Sequence, residues 1–193
     1  MLLKYVNTDS PLRLGVVLEK TGGLGEAALR WFMSKAGSDH RFKLDLIDLL
    51  DFSFPSGQGK SKWEPAPLAQ RIASADAFVV ITPEPNYGYP ELLKLAIDSI
   101  KDEWNSKPMG FVSYGGKSDD SRTIEELRIL FSELRVAAIR DSISFSFSDI
   151  QIPDLEKETY LENAAKSLLS ELDWWGNSFR NARMGIPYPV LKY

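Results

Sequence analysis

The chain has no cysteine and a single histidine, His40. The first absence excludes disulfides, thiol nucleophiles, iron–sulfur clusters and cysteine-based zinc sites. His40 sits in the polar stretch Gly37-Ser38-Asp39-His40-Arg41, which reads as a solvated loop and not as the base of a hydrolytic triad. Long apolar runs are also missing. The longest covers five residues, 77–81, whereas a bilayer-spanning helix requires about 18. No block of consecutive Lys or Arg occurs, and 27 acidic against 23 basic side chains leave a formal charge of −4, which disfavours broad binding to nucleic-acid phosphates. The first residues reach Asp9 before any long apolar core forms, so they do not read as a signal peptide and a cytoplasmic location is expected. With so few nucleophiles and bases, any catalysis here is expected to depend on a bound cofactor.

What is present is a repeated pattern of strand, turn and helix. Residues 12–18 form a short apolar run, Gly22, Gly23 and Gly25 break it, and Ala27, Ala28, Trp31, Phe32 and Lys35 continue at helical spacing. Residues 42–47 predict a second strand. Residues 51–67, with three prolines and two glycines, predict a long surface loop. Residues 77–81 end at Thr82-Pro83 and have the Val/Ile character of a strand buried on both faces. Pro90 suits the first position of a helix, whose Leu93, Ala96, Ile97, Ile100 and Trp104 mark one face. Residues 107–114 predict a fourth strand and Gly115-Gly116 a turn. Ser118, Asp119 or Asp120 would cap the next helix, with Leu127, Leu130, Phe131 and Leu134 as its apolar stripe. Residues 143–148 alternate as an edge strand does, and a last helix is expected from about residue 154 past Arg180. Its Leu161, Ala165, Leu168, Leu172, Trp175 and Phe179 form a stripe expected to pack into the core. The whole predicts one α/β domain over residues 1–193, a flavodoxin-like, three-layer, doubly wound five-stranded parallel sheet of order 2-1-3-4-5. Ligands bind such sheets at the carboxyl ends of the strands, here residues 18–25, 82–90 and 113–122.

The second of these loops, Thr82-Pro83-Glu84-Pro85-Asn86-Tyr87-Gly88-Tyr89-Pro90, combines proline stiffness, backbone amides and aromatic faces. Those features suit a planar heteroaromatic ring, and they equally suit a stiff turn whose tyrosines pack. This loop with its continuation LLKLAIDSIKDEW, the stretch KPMGFVSYGGKSDDSR and the near-terminal LDWWGNSFRNAR resemble the NADPH-dependent FMN reductase family, from about Leu12 to Arg183. The resemblance implies that Pro83, Glu84, Asn86 and Tyr87 bind the flavin ring and that Ser113, Tyr114, Gly115 and Gly116 lie beside its pyrimidine edge. It places the FMN phosphate on the first loop, where Lys20, Thr21, Gly22, Gly23 and Gly25 stand. It further implies FMN and NADPH as cofactors, hydride transfer to a flavin, quinone, azo compound or similar acceptor, and a homodimer or homotetramer. Leu92, Ile97, Ile100 and Trp104, more apolar side chains than one helix face needs, are the expected place of association.

Three positions depart from the family pattern. Glu19 stands where a phosphate-binding hydroxyl is expected, Pro85 replaces an aromatic residue, and Asp119-Asp120 replaces a pair that is commonly glycine. Two unit charges about 4 Å apart at an effective dielectric near 20 interact by roughly 4 kcal/mol, so a Glu19 carboxylate facing the phosphate would weaken FMN binding severely. Either Glu19 points away, or the chain keeps the fold without the flavin and serves as a binding or regulatory protein. The glycines of the first loop fit a phosphate cradle and a plain tight turn about equally.

Overall fold

The computed structural model describes residues 10–19, 22–54, 64–84, 89–115, 122–146, 155–186 and 188. Among them, five parallel strands form one sheet: β1 (Leu12–Leu18), β2 (Phe42–Asp48), β3 (Ala77–Pro83), β4 (Pro108–Tyr114) and β5 (Ala137–Phe145). Their order is β2-β1-β3-β4-β5, as the sequence pattern predicts. The order follows from burial. Strand β4 is buried along its whole length and β3 along all but Pro83, so both need helices on each face, whereas β2 and β5 carry half-exposed positions and take the edges.

Alternate residues of the central strands feed two cores. Leu14, Val16, Leu18, Ala77, Val79 and Ile81 point toward α1 (Leu24–Gly37) and α5 (Leu155–Gly185). Val17, Phe78 and Val80 point the other way, toward α2 (Ala66–Ser74), α3 (Glu91–Ser99) and α4 (Arg122–Glu133). Helix α5 lies close enough to the sheet that a Cβ on Gly110 would come within 2.7 Å of Leu168, and one on Gly176 within 2.7 Å of Leu12. None of the helices among the described residues is long and apolar enough to cross a membrane.

Several boundaries differ from the pattern reading. Pro90 occupies the cap position of α3 and Glu91 opens the helix. Strand β5 begins at Ala137, because a register irregularity opposite Met109 and Phe111 lets it pair with β4 well before the alternating Ile-Ser-Phe segment. The stretch expected to be a loop holds a 3₁₀ turn at Leu49–Asp51 and the first residues of α2. Ser118, Asp119 and Asp120 lie outside the described residues. On α5, Leu161, Ala165, Leu168 and Leu172 are buried, but Trp175 is 38% exposed and Phe179 half-buried. Gly176, four residues after Leu172, takes the inward place that Trp175 was expected to fill.

The proposed association face also reads differently in three dimensions. Ile97 and Ile100 are buried within the chain's own core, and a 3₁₀ turn, Asp102–Trp104, carries the Trp104 indole under the sheet. That ring is fully buried, with centroids 4.9 Å from Phe78 and 5.5 Å from Phe131. The surplus of apolar residues is used internally, so this face gives no support for association.

One charge is buried at the amino end of the sheet. Lys107 is 5% exposed, and its Nζ donates to the carbonyl oxygens of Ile72 (2.6 Å) and Ala73 (2.9 Å) at the end of α2. Burial, with the nearby Arg183 charge, pulls its pKa down to about 7 against the opposing carboxylates of Asp76 and Glu103.

Two outcomes follow from this packing. Trp104→Ala leaves a large void between Phe78 and Phe131 and is expected to lower stability by about 3–5 kcal/mol in urea unfolding. Lys107 has a folded pKa below that of the unfolded chain, so the unfolded state holds more protons between about pH 7 and 10.5 and stability rises with pH across that window. In Lys107→Met that rise should flatten, measured as urea midpoints at pH 7 and pH 9.5.

Candidate functional site

The parallel strands end side by side. In register, Leu18 of β1 lies beside Ile81 of β3 and Asp48 of β2, while Thr82 and Pro83 lie beside Ser113 and Tyr114 of β4. The β3 and β4 ends are tied further by the Glu84 amide, which donates to the Tyr114 carbonyl at 2.8 Å, and the Gly115 amide donates to Phe145 at 2.9 Å. Gly115 has φ of +89°, a left-handed turn that a side chain would disfavour. The three loops singled out from the sequence therefore leave one edge of the sheet from fixed starting points.

At the first loop, Gly23 caps α1 with φ of +68°, and its carbonyl accepts from Ala27. It offers no side chain to the first-turn N–H groups of the helix, and a Cβ at Gly22 or Gly23 would meet nothing within 4 Å. This is open space in front of a helix amino terminus, where backbone N–H groups and the helix dipole favour an anion. Glu26, the acid of that first turn, is paired with Arg30 at 3.0 Å. Gly25 is buried inside the first turn.

Glu19, the departure at this loop, lies among other acids. Its pKa is raised by partial burial first, then by the charges of Asp48 and Glu91. Those two residues end β2 and open α3, and α3 lies on the sheet face opposite α1. Glu91 thus acts on Glu19 from the α3 side, and Asp48 from the neighbouring strand end.

At the second and third loops, Pro83 and Glu84 are half-buried. The Oε2 atom of Glu84 is shielded from solvent and has no hydrogen-bond partner among the described residues. An unpaired buried carboxylate oxygen is costly, and a donor from a bound molecule would satisfy it. Ser113 is fully buried and its hydroxyl pairs with that of Ser144 at 2.9 Å, so this position offers a ligand its backbone only. Tyr114 is 8% exposed and packs in the α1/α5 core. Lys20, Thr21, Asn86, Tyr87 and Gly116 lie outside the described residues. His40 is exposed, in a surface hollow where Lys35 pairs with Glu162 and Arg41 with Asp39, far from these loops in the fold. Glu84 entered the sequence reading through the family pattern; its unpaired oxygen is a three-dimensional property with no sequence signal.

Residues 19–149 match the family described as NADPH-dependent FMN reductase. An NAD(P)H-dependent FMN reductase of Schizosaccharomyces pombe is 56% identical over 46 residues, 24% of this chain and 23% of that protein. An NAD(P)H-dependent FMN reductase of Saccharomyces cerevisiae is 31% identical over 115 residues, 52% of this chain and 60% of that protein. The chain thus spans less than two thirds of the length of either relative. Among solved structures, a flavoenzyme NAD(P)H:(acceptor) oxidoreductase from Paracoccus denitrificans superposes with a TM-score of 0.71 over 87% of this chain and 98% of that one. At 16% identity, that likeness concerns the fold alone. The match over residues 19–149 begins directly after β1 and takes in the other four strands and the three loops from Glu19 on, and on it the chain belongs to the NADPH-dependent FMN reductase family.

Proposed function

We propose that the chain is an NAD(P)H-dependent flavin oxidoreductase that passes hydride from a nicotinamide to FMN and on to a flavin, quinone, azo compound or similar acceptor. The observation that carries this reading is the convergence of β1, β3 and β4 on one edge, with an uncapped helix amino terminus at one loop and the unpaired Glu84 oxygen at the next. The residues fit the cofactor. Gly22, Gly23 and the first turn of α1, with Lys20 and Thr21, would hold the phosphate. Pro83, Glu84, Asn86 and Tyr87 would hold the ring, and Ser113, Tyr114, Gly115 and Gly116 its pyrimidine edge through backbone groups. Bound FMN supplies the two-electron chemistry that the side chains of this protein lack.

The protein's own part is positional. The Glu84–Tyr114 backbone bond fixes the two ring loops against each other, and the Gly115–Phe145 bond anchors the second of them to the end of β5. The glycine entry to α1 leaves room for an anion, and Glu84 offers an acceptor to a donor on the ring.

Stopped-flow mixing of the FMN-loaded protein with NADPH or NADH should bleach the flavin absorbance, and an added quinone should restore it. A lack of bleaching with both nicotinamides at saturating FMN would favour the alternative, a family member that binds or regulates without redox chemistry. Glu19→Ser tests the phosphate end. Removing its carboxylate should strengthen FMN binding by about 1 kcal/mol, at the low end for a charge-assisted contact, and leave riboflavin binding unchanged in titration calorimetry. Its folded-state pKa is raised, so its charge opposes folding only as pH climbs past about 4.5. The variant should accordingly be more stable than the parent at pH 7 and equal to it below pH 4.

A further inference from the structure

At the opposite, amino end of the sheet lies a cavity of about 570 Å³ between the start of β5, the turn before β4 and the last turns of α5. Its wall is mostly apolar, with Val136, Ala137, Phe179, Ala182 and Ile186, and its polar members include Ser106 and Arg135. The volume falls within the roughly 300–1,000 Å³ of small-molecule sites. Strand β4 separates it from the flavin loops by about 20 Å, at some 3.3 Å per residue.

Two further observations mark this cavity. Among the described residues, Ser106 (φ +57°) and Arg135 (φ +60°) are the two non-glycine residues with a left-handed backbone, and both line it. Arg135 sits where α4 ends: the amides of Arg135 and Val136 donate to Ser132 and Phe131, the bond pattern of a helix stop in which glycine is the usual residue. The fold thus keeps a strained arginine where glycine would relax the chain, and such strain collects at functional positions. Second, the Arg135 guanidinium has no hydrogen-bond or ion-pair partner among the described residues. By contrast Arg183, also in the wall, is engaged by Asp76 (3.2 Å) and the Ser106 carbonyl (2.5 Å). The cavity thus joins a mostly apolar wall to an exposed cation that has no partner among the described residues.

We propose that this cavity binds an anionic amphiphile, an apolar body carrying one carboxylate, with the body against Val136, Phe179, Ala182 and Ile186 and the carboxylate on Arg135. The site is independent of the flavin reading. It accounts for the unrelieved backbone at Arg135: the planar, always charged guanidinium gives a carboxylate two parallel hydrogen bonds, which glycine cannot.

The test is calorimetric titration of the full chain with decanoate and with decanol, each with and without saturating FMN. Decanoate should bind in both conditions, and decanol at least tenfold more weakly. Ala182→Trp, which fills the cavity from an exposed helix position, should abolish decanoate binding without loss of the folded far-ultraviolet spectrum. Arg135→Gly should weaken decanoate at least tenfold while raising the melting temperature by about 2–4 °C, the shift that corresponds to about 1 kcal/mol in a chain of this size. A stabilised Arg135→Gly that still binds decanoate undiminished would overturn the proposal. So would equal binding of decanol, binding unaffected by Ala182→Trp, displacement by FMN, or no heat up to millimolar decanoate. Binding that appears only after removal of the residues beyond Tyr188 would assign the cavity to the chain's own end, and overturn it as well.

Discussion

A parallel strand with no polar face must be covered twice. Strand β4, buried along its length, and β3, buried save at Pro83, impose that requirement, and the rest of the architecture answers it: α1 and α5 cover one face, and α2, α3 and α4 the other. Because the strands all run parallel, the loops that leave their carboxyl ends emerge at the same edge, so those after β1, β3 and β4 meet without any side chain being selected to bring them together. The chemistry at that edge is then a matter of which residues fill a place the backbone already provides.

Charge shows how loosely filling and framework are coupled. The glycine entry to α1 keeps the open, donor-rich form that suits an anion. Beside it, directly after β1, stands Glu19, on which the charges of Asp48 at the end of β2 and Glu91 at the start of α3 act.

Much of the framework was legible in advance because apolar runs between glycine and proline breaks identify buried strands with little ambiguity. Strand β1 was read to the residue and β3 to within two. What escaped depended on partners distant in sequence. Trp104 reads as part of an apolar helix face open to association until Phe78 and Phe131 are seen against it. Trp175 reads as core until Gly176 is found against Leu12. The Lys107 ammonium, folded over the end of α2, leaves no mark on a sequence in which lysine is nearly always a surface residue. Of the candidate site, the loops were legible from the strand ends, and the unpaired oxygen of Glu84 was not.

Helix α5 carries a consequence for the order in which the molecule is made. It follows all five strands in sequence, yet its Gly176 lies on Leu12 and its Arg180 reaches the Ser10 and Pro11 carbonyls and the Asp76 carboxylate. Strand β1 therefore keeps part of one apolar face unclosed until α5, made after all five strands, has left the ribosome. Until then the nascent chain holds a sheet with one face partly bare, a form that chaperones bind and that sticks to its own kind. Completion of the fold, and release from such helpers, is thereby tied to the emergence of a single segment.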